Sequence, residues 1–409
     1  MQMKKSSHIL FWILFVVYAV NVLSKSAFAA VTVALVNESI LTKTEAGAIN
    51  GCFWIIYAAG QLLGGFMANK YSPYKMLFVS IIGSAVFNVL MAFGNSFSYM
   101  MTIWCLNGLV QFGMWPCIIK LMSVEIIPEH RAKAASYMTY CYCVGMIFSY
   151  AITSLSLSIS TWEGVFYACG VLNVITLIPA IYAMVKLSPA LKTQIEEPVQ
   201  NVEVKKGKLT PKIVFASGIL VFAMLLIIKS VVEFGAKNWM PTILTETYGA
   251  DPSFTSFLSM IAMVLNIPGM LLCNILYNKL GGDEAKCVGI MFACALPTTL
   301  ILFMLDKINI YVAATAFTFM GLTTHGASQT MLVKYSSRFG KLGLVSVMGG
   351  ITNCFSAVGN FAAAYVCGFV ADNFGWDTMI VWWNIIVVLA IVLAAAIIPS
   401  WRKFKKENA

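Results

Sequence analysis

The sequence predicts an all-α membrane protein whose twelve transmembrane helices form two pseudo-symmetric halves of six, with both termini in the cytoplasm. Three observations carry this prediction: the composition, the spacing of apolar segments and a repeat between the halves. Of the 409 residues, 60% are hydrophobic and 11% are charged, against about 25% charged residues in a soluble domain. We therefore expect a multi-pass protein of the plasma or inner membrane.

Apolar segments of about 20 residues, the length that crosses a bilayer, recur along the chain. The longest break between them, 187–210, carries Glu196, Glu197, Pro198 and the lysine cluster at 205–208, which indicates a solvated linker. We predict an N-terminal six-helix bundle at 1–186, this cytoplasmic linker at 187–210, and a C-terminal six-helix bundle with a short basic tail at 211–409. The predicted spans are 9–36, 46–68, 75–94, 98–122, 132–157, 164–186, 212–244, 254–278, 286–305, 309–333, 342–370 and 377–399.

The basic residues between the spans set the orientation. Lysines and arginines concentrate in alternate loops, and the opposite side has little beyond Lys43 and Lys307. Because cytoplasmic loops carry the excess of these residues, the termini and the linker are expected in the cytoplasm. The first span resembles a cleavable signal peptide that ends at 27–30. We expect it to be retained, because apolar sequence continues to Val36 and completes a full span.

The two halves repeat one another in sequence. The stretch 60–70 (GQLLGGFMANK) matches 269–279 (GMLLCNILYNK) in its glycine, its leucine pair and its final Asn-Lys. This register, carried back to the first and seventh spans, places Lys25 opposite Glu233 to within one residue. Two parallel six-helix halves around a central site are typical of rocking, alternating-access transporters. We expect Lys25 and Glu233 to face one cavity.

The seventh span carries three charges at one-turn spacing, Lys229, Glu233 and Lys237. Each charge at the centre of a membrane costs roughly 2.5 to 3.5 kcal/mol on insertion scales, so this face should contact water, a partner or a substrate. Two interpretations of Glu233 remain open: an ion pair with a neighbouring lysine, or ligand and proton handling. Lys237 lies near the outer end of the span and is interpreted as a vestibule charge.

Four short stretches carry a family resemblance. They are Gln111–Lys120 (QFGMWPCIIK), Asn238–Thr242 (NWMPT), Ile267–Cys273 (IPGMLLC) and Phe374–Asp377 (FGWD). Together they resemble the major facilitator superfamily (MFS), and within it the organophosphate:phosphate antiporters typified by the glycerol-3-phosphate and hexose-phosphate transporters. The resemblance covers essentially the whole chain and implies the MFS fold.

The resemblance also implies a substrate cavity. The family binds phosphate with one arginine in the first span and one in the seventh, and here those positions hold Lys25 and Glu233. Three further positions match the aromatic lining of the cavity, and the family's fifth-span histidine corresponds to Tyr142. The candidate substrate-binding residues are Lys25, Lys229, Glu233, Tyr18, Tyr57, Trp115, Tyr142 and His325.

Two residues are candidates for proton coupling. The related anion:cation symporters carry acidic coupling residues in their first and fourth spans, where this chain has Ser24 and Gln111. Glu233 is then the main acidic candidate. His325 in the tenth span is the second, because its neighbours Thr323 and Thr324 predict a polar helix face.

The charges limit the substrate. Lysine holds a phosphate or carboxylate as a point charge, but Glu233 in the other position would repel a dianion by several kcal/mol in a partly desolvated cavity. We predict a secondary active transporter of a small organic anion or zwitterion, working by alternating access and driven by proton coupling or counter-substrate exchange (symport or antiport). The alternative within transport is an organophosphate:phosphate antiporter. The alternative of another class is a non-transporting membrane ligand sensor.

Other classes of function lack support in the sequence. No nucleotide-binding motif or catalytic constellation is present, so we predict neither an enzyme nor a catalytic residue. The 11 cysteines contain no Cys-x-x-Cys pair, so no metal or other cofactor is expected. The net charge of +10 is read as the positive-inside bias rather than as nucleic-acid binding. The expected partners are a small-molecule substrate and the lipid bilayer, with the protein acting as a monomer.

Overall fold

The computed structural model describes residues 2–159, 161–192 and 209–408, and every regular element in these ranges is a helix. Most of the predicted linker, 193–208, lies outside the described residues. Its beginning is helical, since a π-helical turn at Ala183–Leu187 is followed by a short helix to Lys192. The side of the membrane on which the termini lie stays a prediction.

Contacts divide the chain into two compact units. The first unit comprises Met1–Ile40 and Cys52–Val202, and the second comprises Leu41–Gly51 and Glu203–Ala409. The first residues of the second helix therefore pack with the second unit.

The first six predicted spans lie on the first seven helices, and the eighth helix lies in the predicted linker. The fourth span is divided by a 3-10 turn at Gln111–Gly113. The helices are α1 (Gln2–Asn37), α2 (Lys43–Lys70), α3 (Pro73–Met91), α4 (Phe97–Val110), α5 (Met114–Glu125), α6 (Pro128–Ile159), α7 (Glu163–Tyr182) and α8 (Ser188–Lys192).

The last six predicted spans lie on helices of the second unit. Spans eleven and twelve form one continuous element that turns at Gly375, whose φ of 80° is readily adopted only by glycine. The helices are α9 (Pro211–Ala216), α10 (Ile219–Tyr248), α11 (Pro252–Lys279), α12 (Glu284–Leu302), α13 (Ile310–Gln329), α14 (Tyr335–Ser337) and α15 (Val345–Asn408).

The apolar character of these helices confirms a multi-pass membrane protein. In the described ranges, nine helical segments are long and apolar enough to cross a membrane. The last of these, Val347–Glu407, contains two predicted spans. The second and tenth predicted spans lie on α2 and α13, so each of the twelve predicted spans falls on a helix.

In each unit, a glycine packs closely against the first long helix. A Cβ placed on Gly145 of α6 would lie 2.5 Å from the Cβ of Val22 on α1. A Cβ placed on Gly359 of α15 would lie 2.5 Å from the Cβ of Ser230 on α10. Small residues of this kind let two membrane helices approach to backbone contact.

These contacts give Lys25 and Glu233 equivalent positions in their own units. Lys25 follows Val22 by three residues, and Glu233 follows Ser230 by the same interval. Packing within each unit thus follows the register that the sequence repeat predicts, and the shared cavity stays a prediction.

Candidate functional site

Lys25 on α1 lies in a cage of three aromatic rings within the first unit. Its side chain is buried, with 2% of the residue exposed. Its Nζ donates a hydrogen bond to the hydroxyl of Tyr57 at 3.2 Å. The same atom lies 4.7 Å from the ring centroid of Tyr57, 5.1 Å from that of Tyr18 and 5.9 Å from that of Trp54. We call Tyr18, Trp54 and Tyr57 the aromatic cage.

The aromatic cage compensates only part of the cost of burying Lys25. A desolvated cation–π contact contributes about 2 kcal/mol, whereas desolvation of an ammonium group costs several kcal/mol even after relaxation. Among the residues described in this unit, no carboxylate forms an ion pair with Lys25. The arrangement favours an anion as an additional partner and disfavours a second cation.

Further aromatic residues support the cage. The ring of Trp115 lies 4.7 Å from that of Tyr18, and Phe53 stacks on Tyr57 at 5.9 Å with an interplanar angle of 8°. The structure thus brings Tyr18, Tyr57 and Trp115 together around Lys25, where the resemblance implied a cavity lining. Tyr142 of α6 is partly buried and lies close enough to Tyr18 of the cage to interact with it electrostatically.

A buried network of polar side chains fixes the orientation of α1. Asn21, one turn before Lys25, donates to Gln111 at 3.0 Å, and Gln111 donates to Asn107 at 2.8 Å. Ser24 accepts a hydrogen bond from Asn173 of α7 at 2.6 Å. Such interhelical bonds stabilise membrane bundles because the alternative is an unsatisfied polar group in hydrocarbon. Sequence reasoning missed this network, and its only signal was polar residues inside apolar spans.

Four titratable side chains meet in the second unit, and we call them the charge cluster. Lys229 Nζ lies 2.8 Å from Glu233 Oε2. Lys237 and His325 both contact Glu233 Oε1, the histidine through Nδ1 at 2.7 Å. His325 Nδ1 also lies 3.3 Å from Lys237 Nζ. All four residues are buried.

The charge cluster holds two ammonium groups around one carboxylate. The one-turn spacing of α10 brings both lysines to Glu233, as one of the two sequence interpretations expected. The interpretation of Lys237 as a vestibule charge differs from the structure, because its residue is only 3% exposed and pairs with Glu233. With the histidine neutral, the cluster carries one excess positive charge.

Of the polar residues 323–325 on α13, His325 is the one whose observed bonds reach Glu233 and Lys237. The hydroxyl of Thr323 donates to the carbonyl of Phe319 at 2.9 Å, and that of Thr324 donates to Met320 at 2.7 Å. Threonines in helices commonly satisfy their hydroxyls in this way. The polar face predicted from these threonines is therefore satisfied within the helix itself.

Two further buried carboxylates lie at the ends of spans, where sequence reasoning did not look for them. Glu125 accepts hydrogen bonds from Tyr74 and Ser188, each at 2.7 Å. Glu284, with 0% of its residue exposed, accepts from the guanidinium of Arg338 at 2.6 Å and the indole of Trp401 at 2.8 Å. Both are satisfied by groups from other helices, which favours a structural role.

Comparison with known proteins assigns the family. The family model described as Major Facilitator Superfamily matches residues 14–364. The chain belongs to the Major Facilitator Superfamily. Its members are membrane transporters with twelve transmembrane helices, so the predicted fold class is confirmed and general transport follows from the family.

Individual MFS relatives agree with the resemblance found in the sequence. The chain is 22% identical over 415 residues to the glycerol-3-phosphate transporter of Bacillus subtilis, covering 97% of this chain and 92% of that protein. It is 21% identical over 381 residues to a probable L-galactonate transporter of Escherichia coli, covering 88% and 82%.

A solved structure shares the fold. It is a bacterial homolog of the human lysosomal transporter Spinster, in an inward-facing and unoccupied conformation. It superimposes with a TM-score of 0.80 at 12% identity, covering 99% of this chain and 98% of that one. At this identity the similarity shows the MFS architecture alone.

Proposed function

We propose that this protein is a secondary active transporter that moves a small organic anion or zwitterion by alternating access, with Lys25 as the anion anchor. The observation that carries the proposal is the burial of Lys25 among aromatic faces, with no carboxylate partner in the described part of its unit. A buried ionisable residue in a membrane protein is a functional candidate by default. For Lys25, the substrate would supply the anionic partner that the described part of its unit lacks.

The charge cluster limits the charge of the substrate. One carboxylate already compensates one of the two lysines in the cluster, so a substrate with a single negative charge leaves no large imbalance. The single excess positive charge of the cluster matches one negative charge, and a dianion would be only partly compensated by it. The amino group of a zwitterion could in turn pair with Glu233.

Coupling is assigned to Glu233 and His325. Protonation of Glu233 would weaken its contacts to Lys229, Lys237 and His325 together, so one proton would change the charge balance of the whole cluster. Exchange against a counter-substrate needs no such proton. The two modes of drive are therefore distinguished by the behaviour of Glu233.

Organophosphate:phosphate antiport is the second candidate. It is favoured by the similarity to the glycerol-3-phosphate transporter of Bacillus subtilis. The lysine at position 25 is compatible with phosphate as a point charge. The single excess positive charge of the charge cluster matches one negative charge, so this candidate ranks below a monoanion.

Binding and counterflow measurements test the proposal. The purified protein is screened by thermal shift with L-galactonate, glycerol 3-phosphate and α-amino acids, because a ligand of the native state raises its apparent stability. The best ligand is then tested by counterflow in proteoliposomes. Lys25→Ala should abolish both signals, whereas Lys403→Ala, an exposed lysine of the C-terminal helix, should keep them.

Each other outcome has a defined meaning. Binding without counterflow in the unaltered protein would support the ligand sensor. Preference for glycerol 3-phosphate over the monoanions would support the antiporter. An unchanged thermal shift in Lys25→Ala would refute Lys25 as the anchor.

A further inference from the structure

A cavity lies beside the first turns of α1, against the beginning of α6 in the first unit. Its volume is about 170 Å³, and its lining includes His8, Phe11, Trp12, His130 and Tyr137. Since roughly 10 to 15 Å³ suffices for one water molecule, the cavity has room for a phosphodiester group. We call it the two-histidine cavity.

The two-histidine cavity is distinct from the proposed substrate site. His8 precedes Lys25 by 17 positions on α1, which corresponds to about 25 Å along a helix that rises 1.5 Å per residue. None of the residues of the aromatic cage lines it. A ligand here would therefore act apart from the transport chemistry.

Its polar part consists of two imidazole groups. The ring centroids of His8 and His130 lie 5.2 Å apart, with an interplanar angle of 55°. An imidazole has at least one N–H donor in every protonation state, so two adjacent rings can donate to the oxygens of one phosphate. The start of α6 is fixed beside them, because Arg131 Nε donates to the carbonyl of Ile126 at 2.8 Å.

Two basic residues accompany the histidines. Lys5, on the same turn of α1 as His8, is exposed, and Arg131 follows His130 directly, while Glu129 precedes it. The distribution of lysines and arginines predicts that this end of the unit faces the cytoplasm. Cytoplasmic leaflets carry anionic lipids, and basic pockets between transmembrane helices bind their head groups.

Its apolar part is open to the surroundings of the unit. Trp12 is 56% exposed and Tyr137 is 46% exposed. Phe11 lies between them, with its ring 5.3 Å from that of Trp12 and 6.4 Å from that of Tyr137. Tryptophan and tyrosine are enriched at the level of the lipid head groups, where they would contact the glycerol and the upper part of an acyl chain.

We propose that the two-histidine cavity binds one anionic phospholipid, with His8 and His130 holding the phosphate and Trp12 and Tyr137 contacting the lipid backbone and chain. The proposal commits to a membrane lipid rather than a soluble phosphate, because the aromatic wall is exposed and the phosphate donors lie beside it. It is independent of the identity of the transported substrate.

Native mass spectrometry of the whole protein provides the test. The protein is released from nanodiscs of equal parts phosphatidylglycerol and phosphatidylcholine, and the retained lipid is counted. We expect retention of one phosphatidylglycerol. The double variant His8→Phe, His130→Phe keeps two aromatic rings but removes both imidazole donors, and it should lower this retention about fivefold or more.

A matched pair of tryptophans controls for general lipid contact. Trp12→Leu should lower retention, whereas Trp382→Leu should not, although Trp382 on α15 is 57% exposed. Equal retention of phosphatidylcholine, or unchanged phosphatidylglycerol in both the histidine variant and Trp12→Leu, would overturn the proposal. Displacement of the lipid by inorganic phosphate at millimolar concentration would assign the site to a soluble anion and would also overturn it.

Discussion

The imidazole of His325 lies 2.7 Å from the carboxylate of Glu233, which joins α13 to α10 inside the second unit. Because the same oxygen also contacts Lys237, the carboxylate connects two basic groups on different helices. Any change in its protonation therefore affects both helices.

Glu233→Gln is expected to abolish accumulation driven by a pH gradient and to spare substrate exchange. The amide cannot bind and release a proton, but it still accepts hydrogen bonds from its neighbours. The measurement is uptake of labelled substrate into proteoliposomes with and without an imposed pH gradient. Accumulation that survives unchanged would show that the coupling assignment is wrong.

The same substitution is expected to destabilise the protein. Removal of one partner from a buried ion pair leaves an uncompensated charge and costs about 3 to 5 kcal/mol, and Glu233→Gln leaves two lysines without their carboxylate. The double variant Glu233→Gln, Lys237→Gln removes one of these charges and should recover part of the loss. Thermal unfolding in detergent compares the two, and a double variant no more stable than the single one would argue against direct pairing.

Lys25→Ala is expected to weaken substrate binding more than Lys237→Ala does. Lys25 has only aromatic faces and one phenol hydroxyl as described polar partners, whereas Lys237 is already paired with Glu233. Isothermal titration with the ligand found by thermal shift measures the two affinities. Equal losses would place the anion elsewhere.

Gly359→Ala is expected to destabilise the second unit. The added Cβ would lie 2.5 Å from the Cβ of Ser230 and 2.8 Å from the carbonyl oxygen of Ile227, and overpacking of this kind costs typically 1 to 3 kcal/mol. Gly349→Ala on the same helix is the matched control, since its Cβ would meet no atom within 4 Å. A helical alanine there should be neutral or slightly stabilising. Equal melting temperatures for the two variants would contradict the close contact.

The positions of the helices could be predicted from the sequence because hydropathy is a local property. The equivalence of Lys25 and Glu233 could be proposed from the sequence, because the repeat between 60–70 and 269–279 fixes one register for the two halves. The helix positions follow from hydropathy within one segment, whereas the equivalence needs a comparison of two segments. The structure confirms the helices.

The partners of the charged and polar residues could not be predicted in the same way. Asn21 bonds to Gln111, which is 90 positions away, and no local pattern specifies that pairing. Lys237 is buried because His325 of another helix packs against the same carboxylate. Its position near the end of the span therefore led to a wrong prediction of a vestibule charge. Trp54 belongs to the cage because its ring lies 5.9 Å from the Nζ of Lys25 on α1, and no local pattern around Trp54 specifies that contact.

The contact of Gly145 with Val22 has a mechanical consequence for the anchor. Backbone contact three residues before Lys25 prevents α1 from sliding or rolling against α6 without a steric collision. Lys25 is therefore held at a fixed position on a rigid pair of helices. In the proposed transport cycle, α1 and α6 would move together when access to Lys25 changes.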